Sequence, residues 1–576
     1  MKKLTALLLL ACMLFSLVAC GGSNKVDDRA EVDCWTYDAS GNKQYLPICN
    51  PEDNVTLKVG IAQHANVIDY DTNLYTKWLE EQTGVHVEFI KFSGNSSDIT
   101  TQISMMIAGG ETMPDVFYHM SAISTTTGRE YGNQGYFIPL NDYYADPEMT
   151  HFTREAMEEI FGKEAGEKRF QECIMRATYL KDGNTYSFFN MEEVPFDSPL
   201  CHTIINQQWL DKLGLKAPTN IDELYDVLVA FRDKDPNGNG KKDEIPMIGM
   251  SSSYTRIVDW LMNAFMYYNS NNHYNVTDGK VWSPYNTDEY RQALIYIRKL
   301  VKEGLLSPLT WTMKKAELLT LLNPTDGVYT VGISAGHGDV YFTNADSIFV
   351  YSPLAPLADS TGKGGYGPRA YLSTSLATYI TVDCKNPEVA FRWLDFQSNK
   401  EAYLRQRWGE YGVDWEYSTN PNAQSNALNT PKIVVHDPTI WSTQNNKCWH
   451  RVGSIASEYY YSYEMDLSNP NDWNTKRVNN IYENYLNYVK AGLPEEVYWY
   501  GSFNEEETDS RAEFSADLTS YISKMRTNFC TGDDDPANDA TWNNYISNLQ
   551  KLRWEDWIAT AQNSYDRVKD SYVPYD

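Results

Sequence analysis

Between residues 55 and 118 the hydrophobic period switches back and forth between two and about 3.6, and that switching limits the chain to few folds. Val55, Leu57, Val59 and Ile61 alternate as in a strand. A helical stretch over 73–83 stops at Gly84, and Val85, Val87 and Phe89 then alternate again. A second helical stretch over 99–108 stops at Gly109-Gly110, and Pro114 leads into Val116-Phe117-Tyr118. The order is β-α-β-α-β, which is the pattern of a parallel, doubly wound α/β sheet. Ligands of such sheets bind outside the carboxyl ends of the strands. That rule places His64 to Tyr70 and Tyr118 to Ser121 beside a cleft.

The stretch 209–247, WLDKLGLKAPTNIDELYDVLVAFRDKDPNGNGKKDEIPM, reads as a helix followed by an acidic, Gly-turned loop. Thr219 with Asp222 has capping-box spacing, and Ile221, Leu224, Leu228 and Phe231 share a helical face. Counting Asp235 as the first loop position puts Asn237, Asn239, Lys241 and Asp243 at the oxygen positions of an EF-hand, with Gly240 at the sharp turn. Lys241 would serve through its carbonyl. Pro246 stands where that loop carries a bidentate Glu, and Glu244 is the nearby carboxylate able to substitute. The loop is either a structural calcium site or a plain Asp/Asn/Gly turn.

Several motifs resemble, in this order, the extracellular solute-binding lipoproteins of sugar ABC importers, of the LplA/LipO-like oligosaccharide-binding kind. They are QISMMIAGGETMPDVFY (102–118), YGNQGYFIPLNDYY (131–144), DGNTYS (182–187), NQQWLDKLGLKAPTNIDEL with DPNGNGKKDEIP, DEYRQALIYIRKLVKEGLL (288–306), CKNPEVAFRWLDFQSNKEAY (384–403) and QNSYDRVK (562–569). The resemblance spans nearly the whole chain beyond its leader. It implies a type II periplasmic-binding-protein-like α/β fold: two lobes with doubly wound sheets around a ligand cleft, and a helical C-terminal extension. Its implied ligand is an oligosaccharide and its implied partners are ABC permease subunits. Alginate-binding relatives carry a calcium loop of this pattern.

A chain of 576 residues is too long for one ordinary core. The net charge of −28 argues against nucleic acid as a partner. Aromatics reach 14%, including 42 Tyr and 16 Trp, which suits stacking on flat sugar faces and also suits cores. Lys2 and Lys3, the apolar run to Val18 and the sequence Leu17-Val18-Ala19-Cys20 read as a lipoprotein leader over 1–20. Cys20 would carry the diacylglyceryl (palmitate-type) anchor, placing a monomer on the outer face of the cell membrane. Seven further cysteines include Cys34 and Cys49, whose closeness in sequence allows a disulfide.

Residues 21–54 read as a polar tether, 55–190 with 350–403 as the first lobe, and 195–349 with 404–576 as the second. In this reading SIFVYSP (347–353) is the strand returning to the first lobe. The sequence has no Walker A loop or HExxH, and GISAGHG (332–338) lacks dinucleotide spacing. Sugar binding needs aromatic faces with hydrogen-bonding side chains. The candidates by position are His64, Asn66, Tyr70, Tyr118, Trp260, Tyr366, Trp408 and Trp441, each of which could equally be a packing residue. The expected function is therefore oligosaccharide capture by hinge closure, without catalysis. The rivals are a surface glycoside hydrolase or lyase, and a binding protein for a peptide or another solute.

Overall fold

A computed structural model describes residues 32–571, apart from 194–201, 251–255, 337–341, 343–345, 369–372, 426–429, 438–439, 441–442, 451–453, 458–459, 461, 466–467, 470, 472 and 500. Cys20 and Trp441 lie outside the described residues. The chain divides into two compact units. The first comprises the described part of Met1–Asn190 with Thr374–Asp414 and Asp437–Ile455; the second comprises Met191–Ser373, Trp415–His436 and Ala456–Asp576.

The first unit is built on the alternation read above. Strand Thr56–Ala62 pairs in parallel with His86–Phe92 on one side and Val116–Tyr118 on the other, with Leu57 opposite Val87 and Val59 opposite Val116. Ser373–Ile380 adds antiparallel to Val116–Tyr118. Helix Leu74–Thr83 starts at Asn73, whose side chain accepts from the Tyr75 amide, and ends at left-handed Gly84. Helix Ser96–Gly109 starts with a capping box between Asn95 and Asp98. Gly60 is required at its position: a Cβ there would stand 2.9 Å from Pro114 Cγ and 3.1 Å from Phe117 Cδ1.

The tether reading needs correction for 32–54, which packs on this unit. Ile48 and Cys49 are fully buried, and their amides donate to Thr83 O at 2.8 and 3.2 Å. Arg392 lies 3.6 Å from the Trp35 ring and donates to Tyr45 O at 2.6 Å. The Arg392 contacts join residues more than 300 positions apart, so no local period announces them. Cys34 and Cys49 are separate buried thiols, and burial pushes the latter up to about 12.

The second unit holds a four-stranded sheet in the order Ile245–Met247, Val331–Ala335, Thr203–Asn206, Tyr351–Pro353. The first pair is parallel and the other two are antiparallel. Residues 347–353 therefore do not return to the first unit. Ser347–Phe349 is a 3-10 turn, and Tyr351 pairs with Asn206 in this sheet. The strand that does return is Ser373–Ile380. A three-residue apolar strand carries too little pattern to name its partner sheet.

Helix Asp288–Lys302 buries Tyr290, Ala293, Leu294 and Ile297. The C-terminal helices Ser515–Thr531, Asp539–Lys551 and Trp554–Val568 share its core through Phe529, Tyr545 and Trp557. Arg298 Nη1 joins them by donating to Phe529 O and Gly532 O at 2.9 and 2.8 Å. No helix among the described residues is long and apolar enough to cross a membrane.

Candidate functional site

At the carboxyl ends of the first unit's strands the chain leaves the sheet into short loops, and imidazoles and amides gather there. His64 and His450 stack with ring centroids 5.1 Å apart and planes 9° apart. His64 Nδ1 accepts from the Asn66 amide at 3.2 Å, and Asn66 O accepts from the Asn445 amide at 2.8 Å. Asn445 Nδ2 lies 3.1 Å from His450 Nε2. His119 follows strand Val116–Tyr118, with its Nε2 3.0 Å from Asn190 Nδ2. The Asn190 side-chain Oδ1 accepts from Thr378 Oγ1 at 3.3 Å. His119 and His450 have left-handed backbones, with φ of 46° and 51°. That conformation costs an ordinary residue about 1–2 kcal/mol, and the surrounding hydrogen bonds hold it in place.

The structure thus brings His64 and Asn66 together with Asn445 and His450, and separately pairs His119, inside the 118–121 stretch read above, with Asn190. His119 could have been found, since it directly follows Tyr118 at a strand end. Asn190 and His450 belong to the first unit but lie far from 64 and 119 in sequence, and they left no local signal.

Four of the aromatic candidates are corrected to packing residues. Tyr70 and Tyr118 are buried around Trp449, with centroids 6.3 and 5.7 Å from its ring. Tyr118 Oη also accepts from Gln406 Nε2 at 2.8 Å. Trp260 lies in the main core of the second unit, and Trp408 is buried at the end of helix Lys400–Trp408. Burying a large apolar side chain contributes about 1.5–3 kcal/mol, which a ring turned out to meet a sugar would give up. Tyr366 is half-buried in the second unit, edge-on to Tyr267 at 6.0 Å.

A groove of about 430 Å³ in the second unit is walled by helices Ile221–Asp233 and Asp288–Lys302, with Tyr225, Tyr296 and Lys299 among its lining. Lys299 Nζ covers the Tyr225 ring at 3.6 Å. No strand end enters this groove, so it lies away from the place where such sheets bind their ligands.

The acidic loop follows helix Ile221–Asp233 directly. The helix cap is Asn220, one residue after Thr219, and its side chain accepts from the amides of Asp222 and Glu223. Glu223 in turn accepts from Thr219 N and Oγ1, both at 2.8 Å. Asp235 has a left-handed backbone, and its two carboxylate oxygens accept from the Gly238 and Gly240 amides at 2.9 and 3.0 Å. Asn237 and Asn239 accept from the amides of Asn239 and Lys241 at 3.0 and 2.7 Å.

The amide nitrogens of Asn237 and Asn239 also donate to Asp243, at 3.0 and 3.1 Å, which holds the Asp243 carboxyl below the usual range. Burial pushes Glu244 above it, with the charges of Asp235 and Asp243 adding, and Glu244 Oε1 is buried without a hydrogen-bond partner. Pro246 sits in an edge strand, where a missing N–H is tolerated. No group of three or more His, Cys, Asp or Glu among the described residues is close enough to hold a metal. The loop nonetheless gathers hard oxygen donors of the type calcium takes, one of them an orphaned carboxylate oxygen.

Comparison with known proteins matches residues 64–403 to a family model described as bacterial extracellular solute-binding protein. A curated relative, the fructooligosaccharide ABC transporter substrate-binding protein FusA of Streptococcus pneumoniae serotype 4, is 27% identical over 518 residues, 87% of this chain and 88% of its own length. Among solved structures, S. pneumoniae FusA in complex with kestose superposes with a TM-score of 0.66 at 24% identity, covering 90% of this chain and 100% of that one. A second FusA structure, of an EF-hand mutant with fructo-nystose, gives 0.65 at 24% identity, with coverages of 90% and 100%. An HMO-binding, ABC-transporter-associated solute-binding protein of Bifidobacterium longum infantis ATCC 15697 gives 0.66 at 19% identity, with coverages of 89% and 99%. The fold is that of the type II periplasmic-binding-protein-like proteins, with a helical C-terminal region.

Proposed function

This chain belongs to the bacterial extracellular solute-binding protein family, and from that premise we propose that it captures an oligosaccharide and presents it to the permease subunits of an ABC importer. The observation that carries this reading is the likeness to FusA along seven-eighths of both chains. The strand-end set of the first unit supports it: His64, Asn66, His119, Asn190 and His450 supply donors and acceptors suited to sugar hydroxyls. A glycosidase would instead need two carboxylates flanking the scissile bond. The capture mode in this reading is a hinge closure of the kind binding proteins use. The anchor is the acylated Cys20, and the working protein is a monomer on the outer face of the membrane.

The loop over 235–244 holds a structural calcium ion in this reading. Asp235, Asn237, Asn239, Asp243 and Glu244 offer side-chain oxygens and Lys241 its carbonyl, while the otherwise orphaned Glu244 Oε1 gains a partner. The EF-hand named for the FusA variant supports the same assignment. The ion would tie the end of helix Ile221–Asp233 to strand Ile245–Met247 and take no part in any reaction.

A glycan-array screen of the soluble protein from Gly21 onward tests the proposal. Retention of short oligosaccharides supports it. Retention of peptides with no glycan bound would move the assignment to a different solute.

A further inference from the structure

The second unit contains a small pocket at one end of its sheet. Strands Val331–Ala335 and Tyr351–Pro353 both run antiparallel to Thr203–Asn206, so the carboxyl ends of the first two meet the amino end of the third. Gly336, Pro353 and His202 accordingly line the pocket, and the Gly336 amide donates to His202 O at 2.6 Å. Phe342 forms another wall. Helix Trp473–Ala491 supplies the rest through Asn480 and Asn484, four residues apart and so on one face.

These two amides are 5% and 2% exposed. Both polar atoms of Asn480, and Oδ1 of Asn484, have no hydrogen-bond partner. Buried polar groups are almost always paired, and leaving one unpaired costs free energy. Three such atoms facing one cavity therefore call for an occupant. The space is about 10 Å³, enough for one water-sized group and far too small for a sugar ring. A hydroxyl oxygen fits it. A hydroxyl both donates and accepts, as does a carboxamide, so it can answer Asn480 Nδ2 together with either amide oxygen. The pocket also lies at the carboxyl ends of two strands that run in the same direction on either side of Thr203–Asn206.

We propose that Asn480 and Asn484 form the second unit's subsite for a sugar hydroxyl, which displaces a water held there in the free protein. The inference rests on the oligosaccharide-capture reading and adds residues to it. Displacing a well-ordered water favours binding only when the incoming group reproduces its hydrogen bonds, so the subsite discriminates by hydroxyl position.

The test is isothermal titration of wild type, Asn480→Leu and Asn484→Leu with kestose, nystose, a milk trisaccharide and an alginate trisaccharide, together with melting curves of the ligand-free proteins. Leu keeps the branched, four-heavy-atom shape of the Asn side chain without its hydrogen-bonding atoms. The expected result is that a sugar bound by the wild type binds each variant ten- to a hundred-fold more weakly, while the free variants melt no lower than the wild type. Unchanged affinity overturns the subsite and leaves the capture reading standing. A lowered melting temperature in the free variants assigns the amides to holding the fold and also overturns it. A wild type that binds none of the four sugars overturns the capture reading, and the subsite with it.

Discussion

Glu244→Gln is the cleanest probe of the calcium loop. Asp235 is less suitable, because its carboxylate holds the Gly238 and Gly240 amides and its removal would damage the loop with or without an ion. Glu244 Oε1 is buried without a partner, and burial opposes its ionisation. A carboxyl whose folded pKa is raised contributes stability at low pH that is lost as pH rises through the raised value. At neutral pH with chelator, Glu244→Gln should therefore be no less stable than the wild type. With calcium the order reverses. An ion at a hundredfold excess over its Kd adds about 2.7 kcal/mol to the folded state. For a unit of roughly 300 residues the unfolding entropy is about 0.6 kcal/mol/K, so the wild-type Tm should rise by about 4 °C. Glu244→Gln should lose most of that rise. Protons compete for the same carboxylate, so the wild-type rise should shrink as pH falls through the raised Glu244 value. Calorimetry in EDTA, calcium and magnesium measures all of this. No calcium-dependent rise in the wild type, or an equal rise in the variant, refutes the reasoning and leaves a self-bonded turn.

Two further outcomes follow from the structure and a third from the leader sequence. Burial, with Arg526 and Arg511 adding, depresses His273 to about 4. The unfolded chain takes up a proton near 6.5 while the native one does not, so stability should fall by up to about 3 kcal/mol as pH drops from 6.5 to 4. Urea melts across that window should show a flatter slope for His273→Gln; an identical slope contradicts the assignment. Asn220→Ala should cost about 1 kcal/mol in urea denaturation, because it strips the cap from the Asp222 and Glu223 amides; no loss would return the cap to Thr219. Cys20→Ala should abolish labelling by a clickable fatty acid and release the protein into the medium, and equal labelling of both forms refutes the anchor.

The parts of this fold that were legible from sequence are those governed by local periodicity. The strands and helices over 55–118 could be read because each buries one face against a neighbour near in sequence. Even there the helix Ser96–Gly109 begins three residues before its apolar face does, at a polar cap. The helix before the calcium loop was legible, but two capping arrangements overlap at 219–223, and Asn220 prevails by accepting two amides at once. Long-range choices were not legible. Tyr351–Pro353 could have joined either sheet, and only its pairing with Asn206 decides the matter. Aromatic richness misled at Tyr70, Tyr118, Trp260 and Trp408, because core and sugar platform make the same demand on residue type. His450, Asn190, Asn480 and Asn484 carry no motif. Each acquires its role from a segment far away in the chain.

The central claim is capture without chemistry, and equilibrium titration with recovery of the sugar tests it most directly. Soluble protein is titrated with kestose and with the milk and alginate trisaccharides while intrinsic tryptophan fluorescence is followed, and the sugar is then recovered and weighed by mass spectrometry. The account predicts saturable one-to-one binding of at least one of them and its recovery at unchanged mass after prolonged incubation. New reducing ends or shortened sugars generated by the pure protein would contradict it.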